Sequence, residues 1–130
     1  MKPTTWLVIG SLFGAAGVAL GAFGAHGLKS IVGDLSPDDF AIRREWFETA
    51  AKYHLIHALA IVAAGIIGDR HPEQASSMPG IAFSLGILIF SGMLYAMAVT
   101  GIRVLGAIVP IGGVAFIVGW LALAWSSRAR

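Results

Sequence analysis

The sequence predicts an all-α integral membrane protein, a four-helix bundle with an interfacial amphipathic helix between helices one and two. Three observations predict it. Of the 130 residues, 57% are hydrophobic and only 12% are charged, against about 25% charged in soluble domains. The charges are also clustered: every Asp, Glu, Lys and Arg lies at 2, 29–52, 69–73, 103 or 128–130. The uncharged stretches left between them are 3–28, 53–68, 74–102 and 104–127. About 20 helical residues, at ~1.5 Å each, cross a ~30 Å hydrocarbon layer. Finally, these runs lack the period-two alternation of a membrane barrel strand. The expected organisation is one transmembrane domain over 1–130, with spans at 5–26, 49–68, 80–100 and 104–126. The second span borrows Thr49-Ala50-Ala51, with Lys52 snorkelling to the surface.

The first span carries Gly10, Gly14, Gly17, Gly21 and Gly24, alternating steps of four and three. That spacing keeps one helix stripe free of side chains, and lipid offers no hydrophobic drive to substitute for close backbone approach. The favoured use is packing inside the bundle; a homo-oligomer interface fits the same motif. The apolar run is too long for a signal-peptide core and follows a single lysine, so it reads as a retained span.

Ser36-Pro37-Asp38-Asp39 is a helix start: a capping serine, proline at the first position, then acids at the positive dipole end. From Phe40 onward, Phe40, Trp46 and Phe47 share one face, while Arg44, Glu45, Glu48 and Lys52 share the other. Residues 36–48 are expected along the membrane interface, with those three aromatics at headgroup level, before turning or running directly into span two. A polar hairpin at 69–73 separates spans two and three. In span four, Pro110 cannot donate a hydrogen bond and Gly112-Gly113 follow, so a kink is expected there. Trp120 and Trp125 read as an interfacial anchor.

Lys2, Arg70, Arg128 and Arg130 fall on the terminal side, and Lys29, Arg43, Arg44, Lys52 and Arg103 on the other. The near balance leaves orientation to one argument: the second set belongs mostly to the amphipathic helix, where local pairing holds it. The expectation is therefore cytoplasmic termini. There is no cysteine, which removes disulfides, thiolate metal sites and thiol nucleophiles. No basic cluster with interleaved aromatics suggests nucleic acid.

Chemistry in a membrane begins with ionisable groups, which are costly there. His26 ends span one where span two begins, and His54 and His57 share a helix face. If the three converge they offer a metal or haem site, or a proton path. The plainer reading is hydrogen bonding between helices, with Tyr53, Tyr95, Ser91 and Thr100 as partners. Ser91-Gly92 lacks the leading glycine of a nucleophile elbow.

Four ordered segments carry a family resemblance: "GAFGAHGL" at 21–28, Trp46…Thr49-Ala50…Tyr53…His57-Ala58-Leu59-Ala60, Phe90-Ser91-Gly92-Met93-Leu94-Tyr95, and Pro110-Ile111-Gly112-Gly113…Phe116…Gly119-Trp120. The chain resembles the small bacterial inner-membrane family called domain of unknown function 423 or uncharacterised protein family 0382, whose relatives include transmembrane protein 256-like chains. The resemblance implies four membrane helices, an inner-membrane location and no established activity. It also implies glutamine at position 54 and threonine at 109, where this chain has His54 and Val109. A shared three-histidine metal site is thereby weakened. The candidate polar cluster is His26, Tyr53, His57, Ser91 and Tyr95, with no catalytic residue, metal or cofactor assigned. The expected function is structural or accessory, through helix packing with a second copy or a larger membrane complex. Transport or proton coupling through His26 and His57, and metal or haem binding, are the alternatives.

Overall fold

The computed structural model describes residues 2–128; Arg130, counted among the terminal cations, lies outside the described residues. The elements are α1 (Pro3–His26), α2 (Leu28–Val32), α3 (Pro37–Arg70), a 3-10 turn (Pro72–Gln74), α4 (Met78–Gly86), a π-helical turn (Ile87–Ser91), α5 (Gly92–Thr100), a 3-10 turn (Arg103–Ala107) and α6 (Val109–Ser126). Four segments are long and apolar enough to cross a membrane: Pro3–His26, Pro37–Arg70, Met78–Thr100 and Arg103–Ser126. No strand occurs among the described residues.

α3 begins as its sequence dictates. Ser36 Oγ accepts the Asp39 N–H at 3.2 Å and donates to the Asp39 carboxylate at 2.7 Å, satisfying one of the otherwise orphaned donors of the first turn. No proline or glycine interrupts 38–64. The amphipathic segment is therefore not a separate helix but the first third of a 34-residue one. At ~1.5 Å per residue, α3 outruns a ~30 Å hydrocarbon layer by about 20 Å. The apolar face of this extension is covered by protein. Leu28 of α2, Phe47 of α3 and Ala98 of α5 form one buried cluster, flanked by Phe40, Trp46 and Tyr95. Phe47 is thus a core residue, 2% exposed, and not the headgroup contact that the sequence suggests.

Glycine notches set the α1–α3 register, and they split the stripe of five. A Cβ on Gly10 would lie 2.7 Å from Val62 Cγ2 and 2.8 Å from the Val62 backbone nitrogen. One on Gly17 would meet Leu55 at 2.7 Å, and one on Gly24 the Phe47 ring at 2.5 Å. Gly14 and Gly21 have nothing within 4 Å of that position. Leu7 in turn sits on Gly65 of α3, so the two helices run antiparallel and close along their length.

The second helix pair uses the same device with aromatic knobs. Phe83 fills the space over Gly119, Phe90 packs on Gly112, and Phe116 packs on Gly86. Trp6 of α1 lies against Gly80 and joins Phe83, Phe116 and Leu123 in the main core. Pro110 does not stand in a helix interior, where a kink was expected. Residues 103–107 wind as a 3-10 turn, and Pro110 stands in the first turn of α6, where its missing N–H leaves no hydrogen bond unmade. Gly112 serves helix packing instead, while Gly113 has only the edge of Phe90 near it. Burial shows the layout: the spans holding α3 and α4–α5 have 44% of their apolar windows buried, whereas those holding α1 and α6 have 11% and 17%. α3 and α4–α5 form the centre, and α1 and α6 flank it.

Candidate functional site

α3 carries two histidines three positions apart, and both are buried. A 3-residue step turns the helix by about 300°, so the rings share a side but diverge. His57 leans towards α6. Its Nδ1 lies 2.7 Å from the Tyr53 carbonyl oxygen, one turn back, and its Nε2 lies 3.2 Å from Trp120 Nε1. A carbonyl only accepts and an indole N–H only donates. The His57 proton therefore sits on Nδ1, the Trp120 N–H donates to the Nε2 lone pair, and the ring is neutral. Phe116 stacks on His57 with centroids 3.5 Å apart and planes 8° from parallel. Phe83, Trp120 and Tyr53 close around it at 5.6, 6.0 and 5.9 Å.

His54 leans the other way, towards α5 and α1. Its Nδ1 meets the Tyr95 hydroxyl at 3.3 Å, and the Phe13 ring meets it edge-on at 5.8 Å. Its Nε2 has no hydrogen-bond partner among the described residues. Tyr95 also packs on Phe47 at 4.8 Å, which ties this pair to the α1–α3 seam.

Ser91 closes the π-helical turn and is fully buried, with no partner for its hydroxyl. It forms no dyad with either histidine. Tyr53 is 39% exposed and stacks against Phe90 and His57. His26 stands apart. It is exposed and makes no hydrogen bond, ion pair or ring contact among the described residues. It follows Gly24 by two positions, about 200° around the helix at ~100° per residue, so it points away from α3.

The five candidate residues therefore do not make one cluster. Tyr53 and His57 join Trp120 on the α6 side, Tyr95 joins His54 on the α5 side, Ser91 makes no polar link to either pair, and His26 is outside. The three histidines do not converge, and no group of three metal-ligating side chains forms among the described residues. Both His57 nitrogens are engaged, so ligation through it would first dismantle the Trp120 contact. Sequence reasoning missed Trp120, read as an anchor at the surface, and underrated His54. Glutamine, which the family resemblance implies at 54, and histidine can both meet a tyrosine hydroxyl. A Tyr95 partner is thus compatible with either residue.

Arg43 is a second omission. Its Nη1 donates to the Val99 carbonyl at 3.0 Å and approaches that of Ala98 at 3.5 Å. The guanidinium sits at the negative end of α5, against Gly101, whose φ of 75° ends that helix. The expected local pairing of cations is therefore not what holds Arg43, which binds backbone carbonyls instead. Among the described residues only Arg44 pairs with an acid, Glu48, at 3.5 Å on the exposed face.

The comparisons with known proteins agree with this architecture. The family model described as "Protein of unknown function (DUF423)" matches residues 20–113. A UPF0382 membrane protein of Staphylococcus saprophyticus is 42% identical over 91% of this chain and 92% of its own length. YwdK of Bacillus subtilis, named a UPF0382 membrane protein, is 37% identical over 91% of each chain. YgdD of Escherichia coli, named a UPF0382 inner membrane protein, is 33% identical over 88% of this chain and 82% of its own. No solved structure matches. With a family model over most of its length and full-length relatives on both sides of 35% identity, this four-span chain belongs to the DUF423/UPF0382 family of membrane proteins.

Proposed function

We propose that the protein is a non-catalytic component of the bacterial inner membrane that works by packing α1 against another membrane helix. The observation that carries this reading is the contrast between the outer faces of the two flanking helices. α6 exposes Ile111, Val114, Ile117, Val118 and Leu121, large side chains suited to disordered acyl chains. α1 exposes a stripe of Ser11, Ala15, Ala19 and Ala22, at steps of four, four and three, bordered by Leu12 and Val18, with Val8 above and His26 below. Small residues on a membrane face let a second helix backbone approach, and they gain little from lipid. The glycines first suspected of that role are partly spent inside the bundle, on α3.

The absence of cysteine makes the test direct. Ala15→Cys and Ala19→Cys are introduced singly, with Val114→Cys on α6 as the comparison, and native membranes are oxidised or photocrosslinked at those positions. The reading expects discrete adducts from α1 positions only, either a dimer of this chain or a product with one other subunit. Absence of adducts at both α1 positions, or equal adducts from Val114→Cys, refutes it. The reading includes cytoplasmic termini, supported by Lys2, Arg70 and Arg128 on the terminal side and by the engagement of Arg43 on the other. A reporter fused after residue 130 that is active only outside the cytoplasm should stay silent.

A further inference from the structure

A pocket of about 400 Å³ opens between α2 and the first turns of α3, lined by Lys29, Asp34, Leu35, Phe40 and Arg44 among others. Its depth in the membrane follows from α3. Trp46 is the aromatic at the boundary between the apolar span and its polar extension, the level that tryptophan favours. At ~1.5 Å per residue, Arg44 lies about 3 Å beyond it, within a headgroup layer roughly 5–7 Å thick, and Phe40 about 9 Å beyond it, at that layer's outer edge. The pocket therefore faces headgroups rather than acyl chains or bulk water.

Its charges are uncommitted. Lys29 and Asp34 make no ion pair or hydrogen bond among the described residues. Among the described residues the only partner of Arg44 is Glu48, and their side chains are 57% and 70% exposed, a kind of pair that holds its members loosely. Both signs of charge therefore line one pocket, with apolar Leu35 and Phe40 beside them. The surrounding segment 29–52 together with Arg103 carries five cations and five acids. No net positive field concentrates anionic lipid there, in contrast to a polybasic membrane patch.

The geometry points to a phospholipid site specific for a zwitterionic phosphoethanolamine headgroup: Lys29 and Arg44 hold the phosphate, and Asp34 takes the ammonium. Arg44 suits a phosphate because its fork can donate two parallel hydrogen bonds. Asp34 supplies the selectivity, because a phosphoglycerol headgroup brings the same phosphate and no cation. The site is independent of how α1 docks.

The test uses the full chain purified in mild detergent, stripped of lipid and titrated by native mass spectrometry. Phosphatidylethanolamine should bind about tenfold more tightly than phosphatidylglycerol, the ratio that one charge-assisted hydrogen bond supplies. The Lys29→Gln/Arg44→Gln pair should lose about tenfold or more of that binding. Asp34→Asn should bring phosphatidylethanolamine down to the level of phosphatidylglycerol. Arg103→Gln, beside the pocket, should change neither. Circular dichroism verifies the fold of each variant, and Asp34→Asn, on an exposed loop position, carries the test should the double variant not fold. Equal binding of the two lipids to the wild type overturns the proposal. So does undiminished binding by the folded double variant, or preserved selectivity in Asp34→Asn. Glycerophosphoethanolamine or inorganic phosphate binding as tightly as the lipid also overturns it, since the ligand would then be soluble.

Discussion

Replacing Gly10 and Gly14 of α1 with alanine, one at a time, should change stability in opposite directions, although the two lie one turn apart in the same stripe. A Cβ on Gly10 would stand 2.7 Å from Val62 Cγ2, 2.8 Å from the Val62 nitrogen and 3.0 Å from the Ala58 carbonyl oxygen. Two of those atoms are backbone and cannot rotate aside, so α1 and α3 must separate. Overpacking of this kind costs about 1–3 kcal/mol. At Gly14 the added methyl meets nothing within 4 Å. There the substitution gains up to about 1 kcal/mol of helix propensity. The difference between the two variants should be about 1–4 kcal/mol by combining these terms. Reversible unfolding in mixed micelles, followed by far-UV circular dichroism, reads it directly. Variants that shift equally, or a Gly14→Ala that loses more than Gly10→Ala, would refute the assignment of which glycines face α3.

Trp120→Phe removes the donor to His57 Nε2 and leaves a buried acceptor bare, so stability should fall by about 1–3 kcal/mol in the same unfolding assay. Ser91→Ala should be neutral or slightly stabilising, because the hydroxyl it removes has no partner and a buried unpaired polar group is a net cost. Tyr95→Phe, in contrast, breaks the 3.3 Å contact with His54 and should cost about 0.5–1.5 kcal/mol. Arg43→Ala frees the C-terminal carbonyls of α5, and hydrogen exchange over 97–105 should accelerate by about tenfold, the equivalent of a charged hydrogen bond. Arg43→Lys should restore only part of that protection, since a point charge cannot span two carbonyls.

The spans were legible because a charge in hydrocarbon is expensive, so sixteen charged positions outlined the membrane before any helix was considered. The start of α3 was legible too, as Ser36 and Asp39 close a local loop. The Phe83–Gly119, Phe90–Gly112 and Phe116–Gly86 contacts were not, because each depends on which helix lies beside which. The π-helical turn at Ile87–Ser91 carries no local mark: its residues are as apolar as their neighbours. Pro110 was ambiguous for a definite reason. Proline breaks a helix interior and initiates a helix, and the difference lies in whether 103–107 winds as α or 3-10. His26, expected to face the start of span two, points away from it, and the glycine stripe of α1 carries the reason. That stripe fixes the side of α1 that meets α3, and two residues of helix carry His26 to the opposite side.

That geometry bears on whether the histidines move protons. A carrier at His57 must expose a nitrogen lone pair and then a charged ring. Here Nδ1–H donates a hydrogen bond to the Tyr53 carbonyl, Nε2 accepts one from the Trp120 N–H, and Phe116 covers a ring face. Protonating Nε2 would force two donors against each other and place a cation among aromatic rings and apolar side chains. The same three contacts serve a structural role well: they satisfy a polar side chain and fix the distance between α3 and α6, which lipid alone would not set. The two roles part at Trp120→Phe. A proton carrier relieved of its indole cap should gain exchange at Nε2, visible as a pH-dependent imidazole signal, with the fold intact. A helix clamp should instead loosen α6, with faster hydrogen exchange around Phe116 and Trp120. The contacts described here require the second result.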